Sequence, residues 1–162
     1  MNLLSAEAAP SKRSAPSAST FGVIHPGTAA RLDDAGKLLL RVVVGLLVLL
    51  HGIDKLSTGP GFVVAMLAKA GLPGGIGYLV YVGEVIAPLL MIVGLWTRAA
   101  AAIVAFNMLM AFALVHMSAL FTLGKQGGWS LELQGLFLFG ALAVVLLGAG
   151  RLGVGGRDGR FN

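Results

Sequence analysis

Four apolar stretches dominate this sequence, each close to the roughly 17–25 residues that a helix needs to cross a bilayer. They run from Leu38 to Leu56, Ile76 to Trp96, Ala99 to Phe121 and Leu131 to Gly148. A chain built this way has few options, because every backbone amide inside hydrocarbon must find its partner within the protein, and a helix does this within one segment. The expected fold is all-α: an integral membrane four-helix bundle. Between helices 1 and 2, Gly61 to Gly71 carries Phe62, Val63, Met66, Leu67 and Ala70 at helical spacing, too short to cross and suited to a short interfacial helix.

Composition supports the membrane reading. Hydrophobic residues make up 57% of the 162 and charged residues 12%, about half the share that a water-facing surface carries. Cysteine is absent, which excludes thiol chemistry and a disulfide-stapled fold. The net charge of +5 does not signal nucleic acid, because the basic residues sit at the ends of the apolar runs and form no stripe.

Residues 1–36 are rich in Ser, Ala and Pro and read as a flexible cytoplasmic tail, followed by a membrane domain over 37–154 and a short cytoplasmic C-terminal tail over 155–162. The Lys and Arg distribution sets the orientation. Lys12, Arg13, Arg31, Lys37, Arg41, Arg98, Arg151, Arg157 and Arg160 collect on one side, against Lys55, Lys69 and Lys125 on the other. This excess places both termini in the cytoplasm, as for a multi-pass protein of a bacterial inner membrane.

Ionisable groups inside apolar spans cost about 2.5–3.5 kcal/mol each near the bilayer centre, so each is a candidate for function. Counting about 1.5 Å per residue from the outer helix ends, His51 and His116 lie some 7–8 Å deep and Glu84 one turn deeper. Three helices thus bring titratable groups to one layer. Asp54 and Lys55 follow His51 at i+3 and i+4, and Glu132 and Gln134 enter from the fourth helix. Pro88, four residues after Glu84, has no N–H for the Glu84 carbonyl, so a kink and an orphan acceptor are expected there. Arg41 and Arg98 read as structural anchors that snorkel to headgroups, and Asn107 as a packing hydrogen bond. No His-x-x-x-His or Glu-x-x-His spacing occurs on any one span, so no metal site is expected. The cluster equally suits a purely structural hydrogen-bond network.

The segment from Arg41 through Gly45 to His51-Gly52-Ile53-Asp54-Lys55 resembles the opening signature of the DoxX family of small bacterial membrane proteins. Glu84 with Gly94-Leu95-Trp96-Thr97-Arg98, His116, Glu132 and the closing Gly148-Ala149-Gly150-Arg151 also fall in that family's order. The resemblance implies a membrane subunit of a redox complex, an accessory to an oxidoreductase more than a self-sufficient enzyme, with a soluble redox enzyme as partner. It also implies a quinone-like ligand or proton exchange at Glu84, His51 and His116, no tightly bound cofactor, and membrane lipid as the surroundings. Glycine-rich faces permit a homodimer without requiring one. Two other functions fit the same residues: a small-solute or proton-coupled transporter, and a non-catalytic membrane anchor or scaffold. Against the transporter, helices 1 and 2 do not repeat visibly as 3 and 4.

Overall fold

The computed structural model describes residues 26–156, 159, 161 and 162. Residues 1–25 of the tail expected over 1–36 lie outside these residues, as do Lys12, Arg13, Arg157 and Arg160. The chain is all-helical, in the order α1 (Pro26–Thr58), α2 (Gly61–Lys69), α3 (Ala87–Val93), α4 (Thr97–Ala111) and α5 (Glu132–Leu147). A 3-10 segment (Gly74–Leu79) and a π-helical turn (Val82–Ile86) lead into α3, and a second π-turn (Phe112–His116) with a 3-10 turn (Met117–Ala119) extends α4.

Three of these runs are long and apolar enough to cross a membrane: α1, Gly74–Val93 and Thr97–Ala119. The fourth expected span is present as α5, but its 16 residues reach only about 24 Å, short of a hydrocarbon core about 30 Å thick. Three spanning helices and one shorter apolar helix therefore stand where four equal spans were expected. Helix α2 occupies the short helix expected between the first two spans. Large apolar side chains such as Leu39, Leu50, Phe106, Leu136 and Leu146 point outward, an arrangement that water would penalise and lipid accepts.

The core is built from small residues. Ala100, Ala101, Val104 and Ala105 bury one face of α4 against Ala141, Val144 and Phe137 of α5, and Val44, Val48, Ala87 and Met91 complete the cluster. Without a strong hydrophobic force between helices in lipid, close backbone approach supplies the packing energy, and alanine and glycine permit it. Gly45 and Gly52, two turns apart on α1, serve the same end. A methyl group on Gly45 would press on Ile92 and the Pro88 carbonyl, and one on Gly52 would overlap the Glu84 carbonyl. Pro88 has no N–H to offer the Glu84 carbonyl, the preceding turn widens so that the Ala87 N–H bonds to the Val82 carbonyl, and the Glu84 oxygen abuts Gly52.

Three sequence expectations are corrected at the opposite end of the bundle. Residues 26–36, read as tail, are helical, and Asp34 is buried there, accepting a hydrogen bond from the Arg151 N–H at 3.0 Å. Arg41 does not snorkel. It is 1% exposed, and its guanidinium donates to the carbonyls of Met91 (2.9 Å), Ile92 (2.7 Å) and Leu152 (2.8 Å). Gly94 turns the chain beside it in a left-handed conformation (φ 81°), and a side chain there would collide with the guanidinium. The described part of the 155–162 segment is docked too: the Gly155 N–H bonds to the Gly94 carbonyl at 3.0 Å, and Asn162 Oδ1 accepts from the Thr97 N–H and hydroxyl at 3.1 Å each. Arg98 stays exposed at the start of α4, where an anchor would be.

Candidate functional site

Glu84 sits in the first π-turn and is 6% exposed. One carboxylate oxygen accepts a short hydrogen bond from Lys55 Nζ of α1, and the other accepts from Asn107 Nδ2 of α4 at 3.2 Å. A buried carboxylate needs such partners, since leaving it uncompensated in a low dielectric costs several kcal/mol, roughly the penalty per ion in real proteins. Lys55 is fixed in turn, because the Tyr81 hydroxyl donates to its backbone carbonyl at 3.1 Å. The Lys55 side chain is thus the ion-pair partner of Glu84 among the described residues.

His116 closes the second π-turn, is half-buried, and makes no hydrogen bond or ion pair with any described residue. π-Turns are uncommon and recur at functional sites, because one extra residue re-aims the side chains that follow. Here both flank one place. Lys55, Glu84 and His116 together line two adjoining cavities of about 160 Å³ each. The first is completed by Val48, His51, Met108, Gln134 and Phe137, and the second by Phe62, Met66, Val80, Asn107 and Val115. His51 stands with its ring edge on Phe137, centroids 5.4 Å apart and planes at 80°. Its Nδ1 lies 2.9 Å from the Leu47 carbonyl, so Nδ1 carries the hydrogen and Nε2 is the accepting nitrogen of the neutral ring.

Two candidates lie elsewhere. Asp54 is exposed and lines neither cavity; its backbone carbonyl is held by the hydroxyls of Ser57 and Thr58. At about 100° per residue, Lys55 and Gly52 fall on the side of α1 that meets Glu84, whereas Asp54 points about 100° away from Lys55. Glu132 is exposed over the Gly124–Ser130 hairpin, where it lines a separate cavity with Lys125 and Trp129. Gln134, about 200° further round α5, is the residue that reaches the Glu84 cavity. Asn107 is the functional candidate that a packing role concealed. Its signal was available: a polar amide in mid-span is costly to leave unpaired and therefore calls for a hydrogen-bond partner. Among the described residues, no three His, Asp or Glu side chains gather closely enough to hold a metal ion.

The side chains of Lys55 and Glu84, two amides and two imidazoles thus face small cavities with otherwise apolar walls. Such a set can bind a carbonyl group and exchange protons with it.

The DoxX family model matches residues 36–117, which include Arg41, His51, Lys55, Glu84, Asn107 and His116 but not α5. The chain is 29% identical over 105 residues to a Bacillus subtilis (strain 168) protein named "Putative oxidoreductase CatD", covering 65% of this chain and 78% of that one. No solved structure matches.

Proposed function

Since the chain belongs to the DoxX family, we propose that it is a membrane subunit of a quinone-linked redox complex, and that the Glu84 chamber receives the quinone headgroup. The excess of Lys and Arg at one end of the spans supports a bacterial inner-membrane location with both termini in the cytoplasm. The name carried by the Bacillus relative supports the redox assignment. The observation that carries the reading is the joint exposure of Lys55, Glu84 and His116 to cavities otherwise walled by residues such as Val48, Met108 and Phe137.

A quinone takes up two electrons and two protons when it becomes a quinol. Lys55 Nζ, oriented by Glu84, donates a hydrogen bond to a carbonyl placed in the chamber. Asn107 holds the carboxylate in position as that bond forms. His116 and Nε2 of His51 stand on the chamber wall, where an imidazole can pass a proton to or from the headgroup. With no cysteine in the chain, reducing equivalents come from a partner, a soluble redox enzyme docked at the membrane.

A second reading rests on the same carboxylate. Both Glu84 oxygens are engaged, joining α1, the second span and α4, which suits a clasp in a scaffold. Binding of ubiquinone and menaquinone by purified protein, compared with Glu84→Gln, separates the two. The redox reading expects binding to weaken about tenfold or more, the value of one charge-assisted hydrogen bond. Equal binding with a lowered melting temperature leaves Glu84 a clasp.

A further inference from the structure

A third cavity, of about 460 Å³, adjoins the polar ones and differs from them in kind. Leu67 of α2, Ile76 and Leu79 of the 3-10 segment, and Ile103 and Phe106 of α4 give it almost wholly carbon walls. Val63, Asn107, Met110 and Leu114 line both this groove and the second polar cavity, so one wall divides an apolar compartment from the chamber of Lys55, Glu84 and His116. Ile76, Leu79, Ile103 and Phe106 are also exposed on the apolar outer surface of the bundle, so the groove opens toward lipid. The dividing wall is held in place. Asn107 is tied to Glu84, and Gly83 packs against it so closely that a methyl group there would overlap the amide.

A polar chamber backed by a larger apolar groove is complementary to an amphipathic molecule with a carbonyl head and a long hydrocarbon tail. We propose that the groove houses the tail of the ligand whose head occupies the Glu84 chamber, which makes the ligand a prenylated or alkylated quinone that enters sideways from the bilayer. This rests on the quinone reading above. A tail leaving lipid for protein carbon gains little free energy, because the two are alike in polarity. The groove therefore orients the head and admits the ligand from the membrane, and blocking it harms tailed ligands alone.

The test uses the full chain in phospholipid nanodiscs, as wild type and as Ile103→Trp, which adds bulk to the groove wall without touching Lys55, Glu84 or His116. Each is titrated with decylubiquinone and with its tail-less counterpart, 2,3-dimethoxy-5-methyl-1,4-benzoquinone. Partition into lipid affects decylubiquinone equally in both proteins, so the comparison is between proteins. The substitution is expected to weaken decylubiquinone about tenfold, as overpacking of a filled site does, and to leave the tail-less compound unchanged. On the wild type, a quinone with a photoreactive diazirine in its tail is expected to label Ile76, Ile103 or Phe106. Undiminished binding of decylubiquinone by Ile103→Trp, or labelling confined to residues outside the groove, overturns the tail site. Occupancy of the groove by a lipid acyl chain that decylubiquinone does not displace overturns it too. In all three cases, binding of the tail-less compound keeps the headgroup reading intact. Failure of the wild type to bind either quinone ends both.

Discussion

Arg41 and Glu84 are both buried ionisable side chains in apolar helices, but their partners differ. Arg41 directs Nη1 and Nη2 to three backbone carbonyls, those of Met91, Ile92 and Leu152, while its buried Nε has no hydrogen-bond partner among the described residues, at a place where a side chain on Gly94 would collide with the guanidinium. Glu84 is held by side chains, Lys55 and Asn107, and stands on the wall of two cavities beside a histidine with no partner among the described residues. A charge that satisfies carbonyls in a packed knot has no surface left for a ligand. A charge held by movable side chains next to a cavity can exchange one partner for another. The difference separates a residue that organises the fold from the residues proposed to do chemistry.

The largest effect expected from this contrast is at Arg41. Arg41→Met removes the donors of three carbonyls, one of them buried and two partly buried, and should lower stability on the order of 4 kcal/mol, read as a loss of folded protein or a steep drop in melting temperature in mild detergent. If it melted no lower than Glu84→Gln, the two ends of the bundle would not differ as described.

Gly52→Ala comes next. Its methyl group collides with the Glu84 carbonyl, and the strain of separating α1 from the second span should cost about 2 kcal/mol in the same melt. A neutral outcome would mean that the helices do not approach here as closely as described.

Smaller again is the coupling inside the chamber. Glu84→Gln leaves the Lys55 ammonium without a counter-charge, Lys55→Met leaves the carboxylate without one, and the double variant removes both charges. A double-mutant cycle on thermal stability should therefore return a coupling of about 1–2 kcal/mol between Lys55 and Glu84, and near zero between Asp54 and Glu84. Coupling to Asp54 would restore the face of α1 that the sequence suggested.

Much of this chamber was legible in the sequence. Apolar spacing and helix rise alone put His51 and His116 within one turn of Glu84 in depth, and Pro88 marked the Glu84 carbonyl that meets Gly52. The Arg41 knot was hidden. A charge near the end of a span looks like an interfacial anchor, and its carbonyl partners lie 50 to 111 residues away, where no local pattern reports them. The start of α1 was hidden for a related reason: residues 26–36 are too polar to register as a span, and they are helical in the structure with Asp34 bonded to the Arg151 loop. Asp54 and Glu132 were misplaced because depth was known and azimuth was not. A π-turn, which shifts every later side chain by about 100°, leaves no mark in a hydropathy pattern.

His116 offers the most direct measurement of the central claim, because it makes no internal hydrogen bond or ion pair among the described residues and so separates binding from folding. Melting temperature and quinone affinity are read on the same preparation of His116→Ala. The account predicts stability within about 1 kcal/mol of wild type, as for a side chain without internal partners, and quinone binding weakened about tenfold. Unchanged affinity at unchanged stability would contradict it and leave the chamber a structural clasp.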